Sequence, residues 1–271
     1  MPELPEVETT KRGIAPHVVN KTITRVEVHN KNLRWPVTAV FSKNIAGHEV
    51  QDVSRRAKYL LFKLQSGYFM LHLGMSGSLR LANSREPLLK HDHLVFHLSN
   101  NLTLRLNDAR RFGCALWLGH NPEEHSLLNS LGPEPFDSSC TAQRLFKLSR
   151  KRKVAVKNFI MDNKVIVGVG NIYASEALFA SGIRPRRAAG RVTQAQYNKL
   201  LQNIQTVLQA SITMGGTTLR DFVGGDGKPG YFQQTLSVYG REGLPCTTCN
   251  STIKQVTIGQ RSSFYCRQCQ Q

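Results

Sequence analysis

The opening residues, Met1-Pro2-Glu3-Leu4-Pro5-Glu6-Val7-Glu8, set a nucleophile beside an acid. The initiator methionine is normally removed when a small residue such as proline follows, and Pro2 then becomes a free secondary amine. Such an amine attacks an electrophilic sugar carbon and yields a cationic iminium, as lysine amines do in Schiff-base enzymes. Glu3 is placed to give or take the proton. Pro5 suits the first turn of a helix, and Glu6 and Glu8 suit its positive end. The same eight residues also read as an acidic helix start and nothing more.

A second set lies at the far end. Two residues separate Cys246 from Cys249 and Cys266 from Cys269, with sixteen residues between the pairs. Two knuckles at this spacing read as one structural zinc held by four thiolates. A site closed by four protein ligands has no open position, so the ion is expected to hold shape and not to catalyse. Thr252 to Tyr265 alternates about Gly259, which predicts a β-hairpin finger. Arg261 falls near its tip, where it can meet phosphate or a reacting site; an isolated tip arginine is equally at home in solvent. Cys114 and Cys140 are left over as buried thiols.

Three further stretches carry candidate chemistry. Val167-Gly168-Val169-Gly170-Asn171 runs into a helix and can point backbone N–H groups at an anion, with Asn171 capping the helix or bonding phosphate. It reads equally as a tight structural turn, and without a lysine it is no nucleotide loop. Asn107 to Gly113 follows a strand and carries Arg110, Arg111 and Phe112. Two arginines with an aromatic can enter a base stack, as can Met75 on another turn, unless Phe112 and Met75 are plain core residues. Lys58 is either a cation positioned near the N-terminal amine or one more surface lysine. His91, in Lys90-His91-Asp92-His93, has the spacing of a metal ligand, a weak signal on a strand edge.

The elements that must hold these residues follow from pattern and charge. Lys and Arg number 36 against 18 acids, a formal charge of +18, which calls for a polyanionic partner: nucleic acid or an anionic membrane surface. Basic residues are spread along the chain and no basic amphipathic helix stands out, which disfavours the membrane. No long apolar run predicts a transmembrane helix, and no basic segment precedes an apolar core as in a secretory leader. The expected location is therefore the cytoplasm, where disulfides are rare and six cysteines read as ligands or thiols. Ile23 to Val28, Tyr59 to Leu64, Tyr68 to Leu73, Leu94 to Leu98 and Leu102 to Leu106 alternate as strands, so the chain up to about residue 130 is expected to be a β-sandwich or barrel. Leu131-Gly132-Pro133-Glu134-Pro135 is a break, after which the period becomes helical. Thr141 can cap a helix running toward Arg150-Lys151-Arg152-Lys153. Thr193 with Gln196 forms a capping box ahead of Tyr197, Leu200, Leu201, Ile204, Val207, Leu208 and Ile212, and Gly215-Gly216 ends that helix.

Together these pieces resemble bacterial formamidopyrimidine-DNA glycosylase. The resemblance rests on Pro2 to Glu8, Arg56-Ala57-Lys58-Tyr59-Leu60, His72-Leu73-Gly74-Met75-Ser76-Gly77, Asp108 to Gly113, Leu131 to Pro135, Gly168 to Glu176, Gly215 to Leu219 and Gln260 to Cys269, in the same order along the chain. It implies an α+β fold: an N-terminal β-sandwich with an N-terminal helix (1–130), a helical domain with a helix–two-turn–helix (131–230) and a zinc finger (231–271). It implies Pro2 as the nucleophile on the sugar C1′ and Glu3 as the acid/base of base removal. Lys58 contacts phosphate and assists β-elimination, and Arg261 acts in δ-elimination. Met75, Arg110 and Phe112 fill the gap left by the flipped base, with Arg110 reading the opposite cytosine. Asn171 and the loop before it grip phosphates near the lesion, His91 and Arg152 are assigned to the phosphate side, and Thr217 to Tyr231 forms a loop over the extruded purine. Ala109 stands where the family pattern suggests proline.

The implied activity is a monomeric, bifunctional glycosylase and AP lyase on damaged or abasic duplex DNA, chiefly at 8-oxoguanine and ring-opened purines. Zinc is the only cofactor implied. Endonuclease VIII, which prefers oxidised pyrimidines, is the nearest rival; Leu4 and the Thr217 to Tyr231 loop favour the purine enzyme. A non-catalytic zinc protein that merely binds DNA is the rival from another class, and the presence together of Pro2, Glu3 and Lys58 speaks against it.

Overall fold

The computed structural model describes residues 2–215 and 236–271. These divide into two compact units, one of residues 2–129 and 212–215, the other of 130–211 and 236–271. Among the described residues no helix is long and apolar enough to cross a membrane.

The first unit opens with helix α1 (Leu4–Val18), with Pro5 in its first turn. The Glu3 N–H donates to Glu6 Oε2 at 2.8 Å, satisfying one of the donors that a helix start leaves bare. Leu4, Val7, Ile14 and Val18 face inward at 0–1% exposure. Strand β1 (Thr22–Val28) and helix α2 (Ala39–Ile45) follow. Then come β2 (His48–Arg56), β3 (Tyr59–Leu64), β4 (Gly67–His72), β5 (Ser78–Asn83), β6 (Asp92–Leu98), β7 (Leu102–Asn107) and β8 (Cys114–Gly119). The hydrogen-bonded order is β5-β7-β6-β1-β2-β3-β4-β8, with every pairing antiparallel.

Three strands lie between β6 and β4 in that order. Laid flat at about 4.8 Å per strand, the two would be roughly 19 Å apart. Yet the Phe96 ring of β6 stacks on the Phe69 ring of β4, their centroids 5.5 Å apart. The sheet is therefore folded over on itself into two layers, the sandwich expected from the alternation. The seam is short: β1 meets β2 only at Thr22↔Glu49 and Ile23↔His48. Phe41 of α2 and Phe62 complete the aromatic centre of the core, against Phe69.

The second unit is helical. Thr141 caps α3 (Ala142–Ser149) by accepting from the Arg144 N–H at 3.1 Å. Helix α4 (Val156–Ile160) leads to α5 (Asn171–Ser181), which ends at Gly182 in the left-handed region, φ 72°. Helix α6 (Gln194–Thr213) has the expected capping box: the Thr193 N–H donates to Gln196 Oε1 at 3.0 Å and the Gln196 N–H to Thr193 Oγ1 at 3.2 Å. Phe159 and Tyr197 meet edge to face in its core. The chain ends in a hairpin, β9 (Lys254–Ile258) with β10 (Arg261–Tyr265), paired Arg261↔Ile258 to Tyr265↔Lys254. Its two-residue turn, Gly259 and Gln260, has positive φ at both positions, the backbone a tight hairpin turn demands.

Candidate active site

In the first unit, Pro2 and Glu3 sit at the head of α1, and Pro2, Glu3 and Glu6 are all buried. The free backbone N–H groups of a helix start favour negative charge, which helps to hold carboxylates there. Lys58 lies in the turn between β2 and β3, next to Ala57, whose φ of 54° is unusual for a residue with a side chain. Arg55 braces that turn. Its Nη1 donates to the Ala57 carbonyl at 2.8 Å and its Nε to Glu8 Oε2 at 3.0 Å, linking α1 to the Lys58 turn. Burial works to raise the Glu8 pKa, but hydrogen bonds from Lys11, Arg12 and Arg55 prevail and hold it near 2.

Met75 and Phe112 belong to the surface, at 41% and 42% exposure, and not to the core. The Arg110 guanidinium lies 4.8 Å from the Phe112 ring centroid. Their two turns interlock: a Cβ on Gly74 would come within 2.5 Å of Gly113 N, and one on Gly113 within 2.6 Å of the His72 carbonyl. Only glycine permits such an approach. The His72 ring accepts the Gly74 N–H at Nδ1, 3.0 Å. Burial, aided by the charges of Lys58 and Arg34, pushes the His72 pKa down to about 4, so the ring is neutral at pH 7 and able to accept. His91 is half-buried, and its carbonyl accepts the Asp108 N–H at 3.1 Å, which ties it to the same turn.

The second unit holds Arg152, Asn171, Arg261 and the four cysteines. Gly170 and not Asn171 takes the cap position of α5, with no side-chain bond. Asn171 instead donates Nδ2 to the Ser262 carbonyl at 3.0 Å, so it joins the glycine-rich turn to the hairpin residue after Arg261. Lys157 reaches the same strand. It is fully buried, and its Nζ donates to Ser262 O at 3.1 Å and to Ser263 Oγ at 2.7 Å. Glu176, also buried, accepts three backbone N–H groups, from Ser237, Val238 and Tyr239, at 2.8–3.0 Å. Arg261 and Arg152 are exposed; Arg152 lies over the Phe159 ring. Sequence reading missed Arg55, Asp108, Lys157 and Glu176 as organisers. Charged residues are mostly exposed, and nothing local marks these four as buried or braced. The Thr217 to Tyr231 loop lies outside the described residues.

The sulfur atoms of Cys246, Cys249, Cys266 and Cys269 all lie within 4.8 Å of one another. Cys246 and Cys269 are 3.8 Å apart and Cys249 and Cys266 3.4 Å. A tetrahedron with zinc–sulfur bonds of about 2.3 Å has edges of about 3.8 Å. The residues present therefore fit one structural zinc.

A sandwich headed by a buried Pro-Glu pair, and a helical unit carrying a four-cysteine hairpin, have the build that the sequence resemblance implies for a zinc-finger DNA glycosylase. Comparison with known proteins agrees along the whole chain. Residues 1–115 match the formamidopyrimidine-DNA glycosylase N-terminal domain, 131–223 the H2TH domain of the same enzyme, and 243–271 the zinc finger found in FPG and IleRS. The formamidopyrimidine-DNA glycosylase of Stutzerimonas stutzeri is 55% identical over 270 residues, covering 100% of both chains. That of Hahella chejuensis is 53% identical with the same coverage. Among solved structures, a Lactococcus lactis FPG mutant in complex with Fapy-dG-containing DNA superposes with TM-score 0.94 at 29% identity, covering 100% of each chain. The Thermus thermophilus protein gives 0.90 at 35% identity, over 99% of this chain and 98% of that one. The chain belongs to the formamidopyrimidine-DNA glycosylase family.

Proposed function

We propose that this protein is a base-excision glycosylase and AP lyase that removes oxidised purines, 8-oxoguanine and formamidopyrimidines, from duplex DNA. The observation that carries the reading is the buried Pro2–Glu3 pair at the head of α1 in a chain of this family. A target base inside a duplex must first be extruded. Met75, Arg110 and Phe112 fill the space it leaves, with Arg110 facing the opposite base. The Pro2 nitrogen then bonds to C1′ as the glycosidic bond breaks, and Glu3 handles the protons of base departure and ring opening. The resulting iminium acidifies the C2′ proton. Its loss expels the 3′ phosphate in β-elimination, assisted by Lys58, and δ-elimination assisted by Arg261 expels the 5′ phosphate. Asn171, His91 and Arg152 serve the phosphate backbone. Cys246, Cys249, Cys266 and Cys269 hold the zinc, which gives the finger its shape.

The division of labour follows three stretches: catalysis in 1–130, helical DNA binding in 131–230, and the finger in 231–271. The enzyme works as a monomer on the bacterial chromosome, in the cytoplasm.

The test is chemical. Borohydride reduction during turnover should fix the iminium as an amine, with the crosslink mapping to residue 2. A chain that keeps Met1, because a bulky residue replaces Pro2, should neither trap nor cleave. Trapping at Lys58, with full activity when the N-terminus is blocked, refutes the reading. The substrate panel should include an oxidised pyrimidine, because a Lactococcus lactis relative is known in complex with DNA containing one.

A further inference from the structure

Asp108 is a carboxylate with 0% exposure at the base of the Phe112 turn. Burying a charge is costly unless it is paired or hydrogen-bonded. Among the described residues no ion pair to it is found, and its oxygens are held by hydrogen bonds alone. Oδ2 accepts the Gly113 N–H at 2.7 Å. Oδ1 accepts the Arg110 N–H at 3.3 Å and the Ser76 hydroxyl at 3.0 Å. Its main chain is used as well: the carbonyl takes Nε2 of the buried His93 at 2.8 Å and the N–H reaches the His91 carbonyl. Two of the donors to this carboxylate are main-chain N–H groups on either side of Phe112, and the third is the hydroxyl of Ser76, which follows Met75 directly.

From this geometry we propose that Asp108 is a positioning residue that locks the Met75 and Phe112 turns into a single wedge. The proposal rests on the reading of those two side chains as the wedge. A wedge works by displacing a stacked base, so a tip that yields loses the stabilisation it should give the unstacked state. Met75 and Phe112 are both exposed and have no core of their own. Their rigidity must come from beneath. The glycine contacts between Gly74 and Gly113 bring the turns together, and the Asp108–Ser76 bond is the polar link that crosses from one to the other. Asn at position 108 would keep the shape but replace one acceptor with a donor, so that either Gly113 or the Ser76–Arg110 pair loses its partner.

The test separates unstacking from chemistry. A 2-aminopurine beside the lesion reports unstacking in rapid mixing, and borohydride trapping on a single-stranded abasic oligonucleotide reports chemistry that needs no wedge. Asp108→Asn should slow unstacking by roughly tenfold or more, and excision of 8-oxoguanine with it, while single-strand trapping stays within about twofold. Ser76→Ala removes only the link between turns and should slow unstacking by about fivefold. If Asp108→Asn fails to fold, the Ser76→Ala result decides. Unstacking at the parent rate in the folded Asp108 variant, or equal loss of unstacking and trapping, overturns the proposal. Phe112→Ala is the control for the underlying reading. If it unstacks normally, wedge and proposal fall together; if it is impaired while Asp108→Asn is not, only the proposal falls.

Discussion

At the scale of single residues, the head of the chain separates two proton problems. In the proposed mechanism Pro2 must attack as the unprotonated amine, and a free α-amine ordinarily titrates at about 7.7–8.0. In the same mechanism Glu3 acts when the base leaves and the sugar opens, and has less to do once an abasic aldehyde is present. Glu3→Gln should therefore abolish release of 8-oxoguanine while nicking of a preformed abasic site partly survives, as gel assays on the two substrates would show. His72 gives a second prediction. Its ring is neutral because burial lowers its pKa to about 4, against 6.5 when unfolded. A histidine depressed in the fold binds its proton more readily when unfolded, so its contribution to stability is intact above about 6.5 and is lost as pH falls toward 4. Protonation also converts Nδ1 from acceptor to donor and breaks the bond to Gly74. His72→Phe should flatten this part of the acid profile in melts recorded from pH 7 to 4; an unchanged slope would contradict it.

At the scale of elements, the link from α1 through Glu8 and Arg55 to the Ala57 carbonyl gives a further test. Glu8 titrates near 2 in the fold and near 4.5 otherwise, so its stabilisation is complete above about 4.5 and disappears as pH falls toward 2. Glu8→Gln should lower the melting temperature at pH 7, and the gap from the parent should narrow below pH 4. Arg55→Lys cannot bridge both partners and should reduce strand cleavage through the Lys58 turn, more in kcat than in KM. Sequence made some elements plain and hid others for one reason. Thr141, the Thr193–Gln196 box and the cysteine knuckles announce themselves because their partners are a few residues away. The fold-over of the sheet depends on Phe69 meeting Phe96 and on a seam at Thr22 and Ile23, pairings that no local pattern records. Among site residues, the exposure of Met75 and Phe112 removes the reading of them as core, and burial alone reveals Asp108 and Lys157, which in sequence look like any other charged side chain.

At the scale of the whole molecule, zinc and charge set the predictions. Cys249→Ala should release the metal, measured by native mass spectrometry. The finger lacks a core large enough to stand without it, so its hairpin should loosen and DNA affinity fall. Retention of full activity on lesion DNA without metal would exclude this role. The formal charge of +18 implies counterion release on binding. Affinity should drop by about three to five decades between roughly 50 and 200 mM salt if six to ten phosphates are neutralised, and a nearly flat titration would argue against phosphate clamping.

The narrow seam in the sandwich also bears on how the protein is made. Strands β2 and β3 each pair with the strand that follows, so β2, β3 and β4 can zip as they emerge from the ribosome. Strand β1 pairs along its length with β6, roughly seventy residues later, and touches β2 at only two positions. At about 5–20 residues per second, a nascent β1 waits several seconds for its main partner with one edge unmet. Its sequence, Thr22-Ile23-Thr24-Arg25-Val26-Glu27-Val28, interrupts the β-branched residues with Arg25 and Glu27. Those charges defend the strand during the interval in which translation has exposed it and the fold has not yet claimed it.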